Sequence, residues 1–297
     1  MRDPAVIRKL PDGQRVHMHD GPIDLIINAC GTVQAIRAAH EAAARRFVSI
    51  LDELCGELPL LRRRLTSASP EPSGPVARRM AAAVAPYCTH DFITPMAAVA
   101  GAVAEAILSE MTRAAELDRA YVNNGGDIAL HLSRHQEYSL GMVERPDFPY
   151  LFGSVKISAD SPVRGVATSG WRGRSFSLGI ADAVTVLAAK AAAADAAATI
   201  IANAVDLPDH PAVLRVPANE IAPDSDLGAI PVTRDVGPLS VSDVELALQN
   251  GQQLAEKLLD RNLIHSASLC LRGRVRVVAS SQNSHEFESA PRSLQHA

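Results

Sequence analysis

Tyr121-Val-Asn-Asn-Gly-Gly-Asp-Ile-Ala-Leu130 is the stretch on which the reading of this chain turns. Two short β-prone runs, 120–123 and 128–132, flank a glycine pair and a carboxylate. Glycine has no Cβ, so a strand that ends in Gly125-Gly126 lets a ligand approach the backbone closely. Asp127 then offers an acceptor beside that gap, suited to a ribose or adenine contact, and Asn124 stands on the other side of the pair. On its own such a pair is more often a simple turn.

Two later segments change the weighing. Ala167-Thr-Ser-Gly170 follows a β-branched run and presents hydroxyls and N–H groups, the equipment that holds phosphate or ribose oxygens. The cofactor-binding set is therefore read as Asn124, Gly125, Gly126, Asp127, Thr168, Ser169 and Gly170, with Arg172 beside them to neutralise a pyrophosphate. Ala194-Asp-Ala-Ala-Ala-Thr199 lies on an alanine-rich helix, so Asp195 and Thr199, at i and i+4, project from one face. A carboxylate and a hydroxyl in that arrangement make a half-shell for Mg²⁺, which takes oxygen ligands and keeps waters.

Working outward, residues 14–19 and 23–28 read as a hairpin around Asp20-Gly21. A long helix is expected from Val33 to Leu58 and a loop over 66–75. A second helix should open at Thr94-Pro95 and run to Glu116. Residues 120–168 read as a β-meander of five strands, 183–187 as a short buried strand and 190–204 as the alanine-rich helix. Residues 206–240 look irregular, Ser242-Asp-Val-Glu245 looks like a capping box, and 263–279 like a closing hairpin. This pattern gives an α+β fold of layered mixed or antiparallel sheets with packed helices. One composite domain over 1–281 is expected, with 282–297 a disordered polar tail.

The three segments in this order resemble the ApbE-like superfamily, whose best-known members are FAD-dependent FMN transferases. The family shows Asn-x-Gly-Gly-Asp-Ile, Ala-Thr-Ser-Gly and Ala-Asp-Ala-x-Ala-Thr, here Asn123–Ile128, Ala167–Gly170 and Ala194–Thr199. The stretch from Asp91 to Glu105 and the opening Gly21–Ile27 resemble a cytosolic branch of that superfamily rather than the true transferases. The resemblance implies FAD and Mg²⁺ as cofactors. It also marks what is missing. The transferase segment His-x-x-Asp-Pro-x-Thr-Gly is replaced by Trp171–Asp182, which holds no histidine, and the transferase Lys-Gly pair reads Ala100-Gly101. The expectation is a flavin-nucleotide-binding protein that does not transfer FMN.

Any turnover would have to recruit Cys88 or His90, the candidate catalytic pair, from the segment Tyr87-Cys-Thr-His-Asp-Phe-Ile-Thr-Pro95. Placed before a helix N-terminus, Cys88 would be a candidate for a depressed pKa. That thiol also supports an alternative of another class, a sulfur-handling accessory protein in reduced-sulfur assimilation. A non-catalytic scaffold with a retained nucleotide pocket is the third reading. His17 and His19 read as polar residues of an edge strand. A net charge of −4 gives no pull toward nucleic acid or an anionic membrane. The four cysteines are dispersed, which suits a reducing compartment, and the absence of an apolar N-terminal run points to the cytoplasm. Homo-oligomer formation is compatible with all of this.

Overall fold

The alternation Val16, Met18, Asp20 inward and His17, His19 outward is that of a strand with one buried face, and the chain uses it so. A computed structural model describes residues 4–145, 148–280 and 287–289. In chain order the first elements are β1 (Val6–Lys9), β2 (Val16–Asp20), β3 (Ile23–Cys30), α1 (Val33–Leu61), α2 (Pro75–Val84) and α3 (Val99–Ala114). Then come β4 (Arg119–Asn124), β5 (Asp127–Leu132), β6 (Glu137–Arg145), β7 (Phe148–Ser158), β8 (Gly165–Ser169), β9 (Ala183–Ala188) and α4 (Ala191–Ala204). The last are β10 (Val213–Pro217), α5 (Ala218–Ile221), β11 (Pro231–Val236), α6 (Val241–Asp260), β12 (Ser266–Leu271), β13 (Arg274–Ala279) and β14 (Phe287–Ser289). The architecture is α+β, and the strand pairs described below are all antiparallel.

The chain divides into two compact units, neither of them a continuous stretch. The first takes Met1–Gln136, Ala159–Ala167 and Ala188–Ala196; the second takes Glu137–Ser158, Thr168–Leu187 and Ala197–Ala297. No single cut in the sequence would release either one. Of the expected tail, residues 282–286 and 290–297 lie outside the described residues, and Phe287–Ser289 pair with Val155–Gly153 of β7.

In the first unit β1 to β5 pair in sequence order, and β5 then pairs with β8 through Ile128↔Val166 and Ala129↔Gly165. Helices α1 and α3 supply apolar faces at helical spacing, Ala39, Ala43, Phe47, Ile50 and Leu54 on α1 and Val103, Ile107 and Met111 on α3, all buried. Thr32 caps α1, its hydroxyl accepting from the Ala35 amide at 3.2 Å.

The second unit has an antiparallel ladder β9–β12–β13, a sheet ordered β14–β7–β6, and the hairpin β10–β11. Every residue of β9 and β12 is buried, the polar Thr185, Ser266 and Ser268 included.

Four sequence expectations are corrected. The five-strand meander is broken: β6 and β7 pair with each other and leave the neighbour of β5 to be β8, because alternation specifies a strand but not its partner. Helix α2, opened by Pro75 at its first position, was hidden behind the Pro-rich loop. Residues 206–240 include the β10–β11 hairpin, where prolines sit at the strand ends rather than marking irregular chain. The capping box is Ser240/Asp243, not Ser242/Glu245: the Ser240 hydroxyl accepts from the Asp243 amide at 3.1 Å and the Asp243 carboxylate accepts from the Ser240 amide at 3.0 Å.

Replacing Ser240 with alanine is expected to lower stability by about 1 kcal/mol, whereas Ser242→Ala should change it by a few tenths at most. Thermal melts of the two variants decide which serine starts α6, and a larger loss at Ser242 would contradict the assignment.

Candidate functional site

The β4–β5 hairpin closes on the pair Asn124↔Asp127, so Gly125-Gly126 is its two-residue turn. Both glycines have positive φ, +65° and +114°, the requirement of a tight turn matched to strand twist. The Gly126 amide donates to the Asn123 side-chain oxygen at 2.8 Å. A Cβ at Gly126 would meet nothing within 4 Å, so the turn faces open space.

Asn124 is 8% exposed and faces inward, its Nδ2 donating to the Ala100 carbonyl at 3.1 Å. It ties the turn to the first turn of α3.

That first turn receives a second tether. Asp195, on α4, accepts from the Gly101 amide at 3.0 Å and from the Ala100 amide. These amides belong to the orphan donors of α3, and a carboxylate from another helix satisfies them where its own N-cap, Ala98, has no side chain to do so. The reverse also holds. Glu105 of α3 accepts from the Ala192 amide in the first turn of α4 at 2.8 Å, and from Arg79 at 3.1 Å. Each helix caps the other. The approach requires Gly101, since a Cβ there would lie 2.4 Å from the Ala191 carbonyl oxygen.

Burial, and next the charge of Asp127, push the Asp195 carboxyl well above the usual carboxylate range, against the pull of the two amides. Two carboxylates thus meet at the positive end of a helix. The arrangement favours either a proton on Asp195 or a cation between the pair and solvent. Thr199, half-buried, follows one turn later on α4. Among the described residues no group of three or more His, Cys, Asp or Glu side chains could hold a metal. A cation here would therefore depend on two carboxylates, neutral oxygens and water, a set that suits Mg²⁺ and not a thiolate- or imidazole-loving metal.

Cys88 and His90 sit elsewhere in the first unit. Cys88, half-buried, ends the short 3₁₀ turn Ala85–Tyr87, and His90 is exposed with its amide on the Tyr87 carbonyl. Thr94-Pro95 opens a 3₁₀ turn, Pro95–Ala98, and the α-helix begins only at Val99. The helix end expected to act on Cys88 is instead the one held by Asp195.

In the second unit Thr168 is exposed and its hydroxyl meets that of Thr185 at 2.9 Å, while Ser169 is half-buried. Gly170 is packed against the Asp182 carbonyl. Asp182, missed in the sequence, organises the segment that follows. One carboxylate oxygen accepts from Trp171 Nε1 at 3.3 Å and the other from the Arg272 amide at 2.6 Å. Arg172 stacks on Trp171 at 4.1 Å and lies 3.5 Å from Asp182. Its charge, expected to face a pyrophosphate, is thus already matched inside the unit. The signal for Asp182 was a lone carboxylate between Ile180-Ala181 and the buried β9.

Beyond Arg174 the chain is stitched into place within the second unit. Leu178 donates its amide to Asn203 Oδ1 at 2.9 Å, and Ile180 donates to the Val205 carbonyl at 2.8 Å.

A family model described as "AbpE bacteria" matches residues 7–277. The chain belongs to this family. A UPF0280 protein of Methanopyrus kandleri is 40% identical over 128 residues, 43% of this chain and 48% of that one. Another, of Methanothrix thermoacetophila, is 37% identical over 132 residues, 44% of this chain and 52% of that one. The alignments span about half the length of these curated relatives. The flavinyl transferase ApbE of Pseudomonas stutzeri, solved in its apo form, is 12% identical, with a TM-score of 0.46 over 96% of this chain and 99% of that one.

The raised carboxyl has a consequence for stability. A carboxyl whose folded value lies above its unfolded value of about 3.9 holds its proton longer in the folded state. Stability is therefore lost as pH rises from the unfolded value through the folded one. In EDTA, Asp195→Asn is expected to be more stable than wild type above that window and to lose the advantage near pH 4, as urea unfolding at acid and neutral pH would show. Lower stability of the variant at neutral pH would mean that the ionised carboxylate is worth more as a helix cap than it costs beside Asp127.

Proposed function

We propose that this protein binds a flavin nucleotide, FAD, with Mg²⁺ held at Asp195 and Thr199, and that it does not transfer FMN to protein. The observation that carries the reading is the Asp127–Asp195 pair at the first turn of α3, beside the open Gly125-Gly126 turn. Two neighbouring carboxyl groups repel each other once both ionise, and a hydrated dication relieves that repulsion. Once bound, Mg²⁺ would neutralise phosphate oxygens that the carboxylates alone would repel.

In this reading Asp195 supplies the charge, while the two α3 amides and the i+4 spacing on α4 fix its position. Asn124 holds the turn against α3. Asp127 stands where the backbone is open and serves the nucleotide directly. Thr168, Ser169 and Gly170 enter through the family motif, with the exposed Thr168 hydroxyl the contact to expect. Membership of the family supports a flavin-related role, and the flavinyl transferase activity named for the Pseudomonas protein is the activity this chain lacks residues for. Nothing in the segment from Arg174 to Ile180 takes a proton near neutral pH, and Ala100 stands in place of the lysine.

Dialysed protein titrated with FAD, with and without Mg²⁺, is expected to quench flavin fluorescence at tens of micromolar protein only when Mg²⁺ is present, and Asp195→Asn should abolish the Mg²⁺-dependent part. Equal quenching by wild type and variant at saturating Mg²⁺ would remove Asp195 from the site.

A Thr-containing acceptor peptide is expected to remain unmodified. A positioned general base typically supplies about 10² to 10⁴ in rate, and the segment that holds it in transferases offers none here. Covalent FMN on the peptide, abolished by His90→Ala, would contradict this.

A further inference from the structure

The first unit carries a concavity of about 340 Å³, lined by none of Asn124, Gly125, Gly126, Asp127 or Asp195. Its charged walls are Arg79 of α2, Glu105 of α3, Arg164 ahead of β8 and Lys190 at the start of α4, with Ser109 and His131 between them. Three cations face one carboxylate in a protein whose net charge is −4.

The carboxylate is already occupied. Glu105 takes Arg79 at 3.1 Å and the Ala192 amide at 2.8 Å, so this pair is a fixed wall. The other two cations are unmatched. Arg164 donates to the carbonyls of Ser161, Val163 and Ala159, at 2.7, 2.6 and 2.9 Å, and has no carboxylate partner among the described residues. Those carbonyls hold the guanidinium in place without neutralising it, and burial lowers its pKa as expected for a cation lacking a counter-ion. Lys190 is exposed and has no ion-pair partner among the described residues. His131 donates Nε2 to the Leu117 carbonyl at 3.1 Å.

We propose that this cleft is a separate binding site for a small phosphomonoester, its phosphoryl group read by Lys190 and Arg164. A phosphomonoester carries about −1.5 to −2 charge near neutral pH, the complement of the two unmatched cations. The volume stands at the low end for ligand sites, about 300 to 1,000 Å³, and admits a small metabolite rather than a dinucleotide. Leu108 and Ala129 give its organic part an apolar wall.

The test is calorimetric titration of the full chain with glycerol 3-phosphate, beside succinate as a dicarboxylate of similar size. Wild type is expected to bind glycerol 3-phosphate saturably, and more weakly as salt is raised. Lys190→Glu should lose about tenfold or more in affinity. Because Lys190 is exposed, that variant should keep the wild-type melting temperature and FAD affinity. Saturable binding lost in Lys190→Glu supports the site. No saturation at about 10 mM ligand, or equal binding by the variant, overturns it. Succinate binding as tightly as glycerol 3-phosphate overturns the phosphoryl assignment.

Discussion

Everything proposed for the first unit depends on one contact, the crossing of α3 with the start of α4 at Gly101. There the two backbones approach so closely that a single Cβ would collide with the Ala191 carbonyl. At that distance each helix end comes within reach of the other's side chains, and each is capped by a carboxylate from its neighbour: Asp195 on Ala100 and Gly101, Glu105 on Ala192. Helix ends buried without partners are costly, so these two alanine-rich helices gain their termini from each other. Small residues permit the approach, and the approach places the acids.

The same contact separates two electrostatic environments. On one side burial and the charge of Asp127 make the Asp195 carboxyl resist ionisation. On the other, Glu105 is absorbed by Arg79 and the α4 amide, so Arg164 and Lys190 keep their charge unopposed. Both environments therefore arise from one piece of packing. Neither needs a long-range field, which a net charge of −4 would not supply.

Much of this could be read in the sequence. The glycine pair was legible as a turn and the Asp-x-x-x-Thr spacing as part of one helix, because each is a local backbone or helix-face property. Membership of the family followed from their order, and the strands and most helices followed from periodicity. What could not be read was partnership. Glu105 looks like an ordinary helix-face acid until α4 is brought beside it, and nothing in the sequence pairs the Asn124 amide with the Ala100 carbonyl. Gly101 appeared as the relic of a transferase Lys-Gly pair, whereas its physical role is to admit another backbone. Thr94-Pro95 has every local mark of a helix start, yet the chain takes a 3₁₀ turn first and the α-helix begins at Val99. Strand pairing failed for the same reason, since alternation cannot say that β5 will skip β6 and β7 for β8.

The central claim is that Asp195 and Thr199, with the charge of Asp127 beside them, hold a divalent cation in the absence of any nucleotide. Mn²⁺, which shares the oxygen preference of Mg²⁺ and is visible by electron paramagnetic resonance, tests it directly in FAD-free protein near neutral pH. The account predicts one saturable Mn²⁺ site, weakened in Asp127→Asn and lost in Asp195→Asn while both variants remain folded. A wild-type protein that leaves all Mn²⁺ free, or an Asp195→Asn variant that binds it as well as wild type, would contradict it.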